Sequence, residues 1–153
     1  MLIAGLIFLV FIKKSFPIST NFTFAPVFFI AATVGMAVLD EIERLDLVQN
    51  AAEVGDRLVS KLKEKVPEHD WIGDARGFGL FLGVEIVKDS ASKDPDAELT
   101  LLLSNRLKEK GFLVSYSGRF NNVLKIRPPL VFSHENADAF LVAFDECIGE
   151  MSE

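Results

Sequence analysis

The sequence predicts an α+β fold, in which a small antiparallel sheet of about three strands carries helices packed on one face. Three observations predict it. Apolar residues recur at helical spacing after Asn50, apolar residues alternate along Leu80–Ile86, and two short apolar stretches flank the polar loop "SGRFNN". The pattern thus mixes helices with short strands, and its last two strands are close enough in sequence to pair as a hairpin.

Composition limits the function before any motif is considered. The chain has 153 residues, a net charge of −6 and a pI near 5.0, and its basic residues are scattered. Such a chain has no electrostatic basis for binding nucleic acid. The single cysteine, Cys147, cannot form an internal disulfide, and His69 and His134 lack the spacing of metal ligands. We therefore expect neither a metal site nor a nucleic-acid partner.

The N-terminal residues are unusually apolar. Met1–Ile12 is uncharged but shorter than the roughly 20 residues that span a bilayer, and no basic residue precedes it as in a signal peptide. Phe22–Leu39 is long enough for a membrane-spanning helix and equally fits a buried helix of a globular domain. We treat residues 1–30 as an atypical apolar segment and residues 31–153 as one domain.

The first amphipathic helix is predicted from a capping pattern. Asn50 is the expected N-cap, with Glu53 three residues later as in a capping box, and Pro67 follows the expected end. The residues at helical spacing are Ala51, Val54, Leu58, Leu62 and Val66.

A strand and a second helix follow. Ile72–Asp89 contains four glycines and the alternating apolar residues of one strand, Leu80–Ile86. Asp94 is the expected N-cap of the next helix, with Pro95 as its first residue and Gly111 as its stop.

The remaining elements are two strands and a helix. Phe112–Tyr116 and Val123–Arg127 are predicted as an antiparallel pair, and Ser133 is predicted to cap the last helix. The apolar side of that helix comprises Ala137, Phe140, Leu141, Phe144 and Ile148.

Several residues that could bind a ligand or take part in catalysis are better explained by a structural role. The glycines of "GFGLFLG" have neither the spacing nor the position of a dinucleotide-binding loop, so we expect them to allow close backbone approach. Arg76 is expected to pair with Asp74. The two histidines are expected at the surface, and Cys147 in a helix has no partner that would make it a nucleophile.

Arg127 is the candidate binding residue. Period-two alternation places Leu124 and Ile126 on one face of the strand, and Lys125 and Arg127 on the other. The following prolines, 128 and 129, restrict Arg127 to extended geometry. A guanidinium group forms paired hydrogen bonds with carboxylate or phosphate. An edge strand that uses charge against aggregation is the alternative interpretation.

Three separated segments resemble a known family. In chain order they are "AVLDEIERLDLVQNAAEVGDRL", "IGDARGFGLFLGVEIVKD" and "NVLKIRPPLVFSHENADAFLVAFDE". Together they resemble the C-terminal small domain of class-III pyridoxal-phosphate-dependent aminotransferases. The most similar branch is the alanine–glyoxylate aminotransferase 2-like group, which includes ethanolamine-phosphate phospho-lyases. The resemblance extends from about residue 31 to residue 150.

The resemblance implies pyridoxal 5'-phosphate as cofactor, a homodimer, and a small amine or amino acid as substrate. It implies that Arg127 binds the anionic group of that substrate. Thr23, in "NFTFAP", is the nearest match to the family threonine that reaches the cofactor phosphate, although the Gly-Gly-Asn that accompanies it is missing. Neither Lys13 nor Lys14 matches the family lysine that forms the Schiff base. No catalytic residue is therefore assigned, and we expect this chain alone to be inactive and to bind the cofactor poorly.

Two hypotheses follow from these sequence features. In the first, the chain is the C-terminal portion of a class-III transaminase or phospho-lyase, in the cytoplasm or mitochondrion. In the second, the apolar N-terminal residues tether a non-catalytic binding protein to a membrane.

Overall fold

The computed structural model describes residues 24–151, with side chains from residue 27 onward. The chain divides into two compact units, residues 1–41 and 42–153. Predictions that concern residues 1–23, including the role of Thr23, lie outside the described part of the chain.

The described residues form four helices and four strands. In chain order they are α1 Phe24–Arg44, α2 Leu47–Lys65, β1 Ile72–Phe78, β2 Phe81–Ile86, α3 Ala97–Glu109, β3 Ser115–Ser117, β4 Val123–Ile126 and α4 His134–Glu150.

The apolar run before Leu39 is helical, as the sequence predicts, and belongs to α1. Its described side chains include large apolar residues that are more than half exposed, among them Phe29, Ile30 and Leu39. Within residues 24–151, no helix combines the length and the apolar character needed to cross a membrane. Of the two alternatives for Phe22–Leu39, the membrane-spanning helix is therefore not supported by the described residues.

The α+β fold is confirmed, with four strands in the sheet where about three were expected. The strand order is β1-β2-β4-β3, and every neighbouring pair is antiparallel. The predicted pairing of the last two strands is confirmed as β3 with β4. The additional strand is β1, which pairs with β2 through a two-residue turn at Gly79 and Leu80.

The core lies between the sheet and helices α2, α3 and α4. Leu58 and Leu62 of α2, Leu103 and Leu107 of α3, and Phe144 of α4 are almost completely buried against the inner residues of the sheet. The helices therefore cover one face of the sheet. The predicted apolar side of α4 is confirmed, since Ala137, Phe140, Phe144 and Ile148 are buried and Leu141 packs against the core.

The predicted start of α2 is wrong. The helix begins at Leu47, and its N-cap is Asp46, in the left-handed conformation with φ 48° and without a side-chain capping bond. Asn50 therefore lies inside the helix. The backbone N–H of Asn50 donates to the carbonyl of Asp46 at 3.0 Å and Glu53 instead accepts a hydrogen bond from Gln49 at 2.8 Å, so no capping box forms.

Two further boundaries differ from the prediction. The cap of α3 is Asp96, which accepts a hydrogen bond from the backbone N–H of Leu99, because Pro95 forms an isolated bridge with Val87. Strand β3 begins at Ser115 instead of Phe112, whose N–H bonds to the carbonyl of Leu107 and closes the end of α3. The stop at Gly111, with φ 94°, and the Ser133 cap of α4 are confirmed.

Close backbone approach explains two of the glycines. Gly79, with φ 53°, turns the β1–β2 hairpin directly against α2. A Cβ added at Gly55 of α2 would lie 2.1 Å from the carbonyl oxygen of Gly79. The structural interpretation of Gly79 in "GFGLFLG" is thereby confirmed.

Candidate functional site

Strand β4 has two chemically different faces, as the alternation predicts. Leu124 and Ile126 are buried in the core, whereas Val123 and Lys125 are half-buried on the opposite side. Arg127 is the first residue after the strand and is exposed. We call the side of the sheet that carries Lys125 the outer face, because none of the core helices covers it.

The strand register shows which residues share the outer face with Lys125. Lys125 lies opposite Gly83 of β2, and Gly83 lies opposite Arg76 of β1. Directly opposed residues of antiparallel strands project to the same side. A glycine thus separates the two cations, and a cleft of about 350 Å³ forms there, lined in part by Arg76, Phe81 and Lys125.

Arg76 is engaged by carboxylates. Its Nη1 donates hydrogen bonds to Glu85 Oε2 at 2.8 Å and to Asp74 Oδ2 at 2.7 Å. These hydrogen bonds, that to Glu85 foremost, raise the pKa of the Arg76 guanidinium above its ordinary value. The predicted pair with Asp74 is confirmed, and two acids balance the charge of this arginine.

Lys125 and Arg127 differ from Arg76 in this respect. Within residues 24–151, neither forms an ion pair or a side-chain hydrogen bond. The guanidinium carbon of Arg127 lies 6.0 Å from the centroid of the Phe81 ring, at the outer limit of a cation–π contact. The edge of the guanidinium therefore remains available for an anion. These two residues, hereafter the cation pair, are the candidate anion receptor.

A second cleft adjoins Arg127. It measures about 220 Å³ and lies between the segment from Gly111 to Val114 and the two prolines that follow Arg127. Phe112, Phe132 and Phe140 contribute apolar side chains to its lining. A ligand whose anionic end contacts Arg127 would therefore meet an apolar wall on this side.

Residues 127–132 connect β4 to α4, and we call them the exit segment. Pro128 and Pro129 follow its first residue, Arg127, and the N–H of Phe132 donates to the carbonyl of Pro129 at 2.9 Å. Asn50 Nδ2 donates to the carbonyl oxygens of Leu130 at 2.8 Å and Phe132 at 3.1 Å. Sequence reasoning missed this contact, since the residues lie 80 and 82 positions apart and no local pattern connects them.

The other candidate residues lie away from the cation pair. His134 is exposed at the start of α4, and His69 is half-buried against Trp71, with ring centroids 5.7 Å apart. Cys147 is buried in α4, and burial raises the pKa of its thiol, which opposes nucleophilic reactivity. Among residues 24–151, no three histidine, cysteine or acidic side chains are close enough to hold a metal ion.

Residues 24–151 supply only part of what a binding site for pyridoxal phosphate requires. Such a site would need a lysine for the Schiff base beside an enclosed cradle for the phosphate. Among the described residues that line the two clefts, Lys125 is the one lysine, and it lies on the open outer face of the sheet. What the described residues offer is the candidate anion receptor and an apolar wall beside Arg127.

Comparison with known proteins identifies similar sequences. The family described as "Aminotransferase class-III" matches residues 20–148. The chain is 43% identical over 122 residues to alanine–glyoxylate aminotransferase 2 homolog 2, mitochondrial, from Arabidopsis thaliana, covering 80% of this chain and 26% of that protein. It is 31% identical over 124 residues to ethanolamine-phosphate phospho-lyase homolog 1 from Caenorhabditis elegans, covering 80% and 27%.

The fold has counterparts among solved structures. An Arthrobacter phospholyase in complex with phosphoethanolamine superimposes with a TM-score of 0.72 at 36% identity, covering 75% of this chain and 27% of that one. In each case the chain spans about a quarter of the length of the protein that it matches.

Proposed function

Because the chain belongs to the class-III aminotransferase family, we propose that it provides the substrate-anion receptor of a pyridoxal-phosphate-dependent transaminase or phospho-lyase. The observation that carries the proposal is the cation pair, which lies on the open face of the sheet without a carboxylate partner among the described residues. The substrate class is a small amine with an anionic group, a carboxylate in a transaminase or a phosphate in a phospho-lyase.

The chemistry of the two groups supports a shared task. Arg127 offers a planar set of donors that can bind two oxygens of one anion, and the Phe81 ring lies 6.0 Å from one side of the guanidinium, away from its edge. Lys125 adds a second positive charge two residues earlier on the same strand. Since Gly83 places no side chain between β1 and β4, an anion could approach Lys125 from above the sheet.

The cofactor, when bound, supplies the electron sink for transamination or elimination, and the receptor proposed here would orient the substrate towards it. In the proposed enzyme the chain forms the C-terminal small domain. The enzyme is a homodimer and is located in the cytoplasm or mitochondrion. The relative from Arabidopsis thaliana is named as mitochondrial, which favours the latter compartment.

A titration tests the receptor directly. We expect phosphoethanolamine to shift the side-chain NMR signals of Arg127 and Lys125 in the ¹⁵N-labelled 153-residue chain, because both cations face solvent on one side of the sheet. Arg119 is a matched internal control, since its guanidinium carbon also lies over an aromatic ring, that of Phe120, at 5.4 Å. If Arg127 does not respond, or responds no more than Arg119, the proposed receptor is wrong.

A second measurement concerns the cofactor. On adding pyridoxal phosphate to the purified chain, we expect no stoichiometric Schiff base with a lysine, because neither Lys13 nor Lys14 has the sequence surroundings of the family lysine. Absorbance followed by borohydride trapping and peptide mass mapping provides the readout. A stoichiometric adduct on either lysine would contradict the expectation.

A further inference from the structure

Asn50 links α2 to the exit segment with one carboxamide group. Its Nδ2 donates to the carbonyl oxygens of Leu130 and Phe132, at 2.8 and 3.1 Å. An amide nitrogen has two N–H groups, one for each of these acceptors. Asparagine is a poor residue for a helix interior, so its place in the first turns of α2 fits a long-range contact better than a local helical preference.

The exit segment has few other hydrogen bonds, although the side chain of Phe132 packs against the core. Pro128 and Pro129 have no N–H to donate, and the side chains of Leu130 and Val131 are exposed. Apart from the turn between Phe132 and Pro129, the hydrogen bonds that hold residues 127–132 within the described structure come from Asn50. This side chain therefore restrains a segment that its own backbone leaves loosely bonded.

The restraint reaches Arg127 through stiff backbone. On one side, Ile126 is fixed in the sheet opposite Leu82. On the other side, two consecutive prolines, each with a fixed φ, separate Arg127 from the first carbonyl that Asn50 binds. Because these two φ angles are fixed, residues 130–132 have little freedom to move without a change in the backbone at Arg127.

We propose that Asn50 is a positioning residue, which holds the exit segment so that Arg127 keeps its place on the outer face and can receive the substrate anion. The inference rests on the proposed function, and it assigns to Asn50 a role that neither the helix nor the core requires. Asn50 is half-buried at the surface of α2, and the core residues of that helix are elsewhere.

The test compares Asn50→Ala with Asp96→Ala in the ¹⁵N-labelled full chain. Asp96→Ala is the matched control, because it also removes one side chain that bonds backbone, at the start of α3 away from Arg127. The first readout is ¹⁵N relaxation of the Arg127 Nε–H group and of the amides from Leu130 to Phe132. The second is the Kd for phosphoethanolamine.

We expect Asn50→Ala to lower the order of Arg127 and to raise the Kd about 2- to 10-fold, the cost of ordering one long side chain on binding. Asp96→Ala should change neither quantity. Asn50→Asp should affect both at least as strongly as alanine, because a carboxylate would face two carbonyl oxygens. Should the alanine variant fail to fold, Asn50→Ser, which retains one donor, should give intermediate values.

Unchanged order and Kd in Asn50→Ala, Asn50→Ser and Asn50→Asp would overturn the inference. The same holds if Asp96→Ala reproduces the effects of the Asn50 variants, since the cause would then be a general loss of stability. If the unsubstituted chain does not bind phosphoethanolamine, the proposed function fails, whereas the relaxation of the Arg127 side chain still decides whether Asn50 positions it.

Discussion

Gly55→Ala is expected to lower the free energy of unfolding by about 3 kcal/mol, at the upper end of the usual cost of overpacking. The added Cβ would lie 2.1 Å from the carbonyl oxygen of Gly79, 2.3 Å from its carbonyl carbon and 2.7 Å from its Cα. All three are backbone atoms, so no rotamer change can remove the clash. Either α2 must move away from the sheet or the β1–β2 turn must distort.

Chemical denaturation of the purified chain measures this effect, and Gly149→Ala is its control. Gly149 lies in α4, and a Cβ added there would have no heavy atom within 4 Å. Alanine at that position should leave stability unchanged or raise it by about 0.5–1 kcal/mol. Similar free energies of unfolding for the two variants would show that α2 does not pack this closely against the hairpin.

The strand that the sequence did not reveal illustrates where pattern reasoning fails. In β1, Ile72 and Ala75 are buried, and they lie three positions apart where strict alternation would place them two apart. The register shifts between Ile72 and Asp74, so Gly73 disturbs the pairing with β2. With charged residues at 74 and 76 and a bulge in the strand, no apolar period of two remains. Strand β4, which has no bulge, keeps its alternation and was predicted with both faces correct.

The predicted first residues of α2 and α3 are wrong for a different reason. Asparagine followed three residues later by glutamate is a capping signal only when the chain is not already helical. In this chain the Asn50 side chain donates hydrogen bonds to carbonyls 80 and 82 residues away, so it makes a tertiary contact and does not cap the helix. Similarly, Pro95 pairs with Val87 and moves the start of α3 to Asp96. Long-range pairing, unlike local propensity, cannot be derived from a short window of sequence.

The candidate site likewise has features that local sequence predicts and features that depend on long-range pairing. The opposite faces of Leu124 and Lys125 followed from alternation, and the Arg76–Asp74 pair followed from proximity along one strand. The second acid at Arg76, the ring of Phe81 beside Arg127 and the Asn50 contact all depend on strand register or on helix packing. These contacts determine which arginine is engaged by carboxylates and which one remains available to a ligand.

Arg127→Ala is expected to raise the Kd for phosphoethanolamine by at least tenfold. A hydrogen bond to a charged group contributes about 1.5–3 kcal/mol, and about 1.4 kcal/mol corresponds to tenfold in Kd. Arg127→Lys should lose less, because it retains the charge but not the planar pair of donors. Arg119→Ala, which removes an arginine that also lies over an aromatic ring, should leave the Kd within about twofold, roughly 0.4 kcal/mol.

The same variants can distinguish the two substrate classes. Phosphate carries more charge and more acceptor oxygens than carboxylate, so a receptor suited to phosphate should draw on both members of the cation pair. For phosphoethanolamine we then expect Lys125→Ala to weaken binding as well, whereas for β-alanine, with its carboxylate, Arg127→Ala alone should account for most of the loss. Equal effects of Lys125→Ala on both ligands would contradict a phosphate-adapted receptor. Equal Kd values for wild-type protein and Arg127→Ala with both ligands would instead show that the guanidinium does not bind the substrate anion, whatever the role of its neighbour.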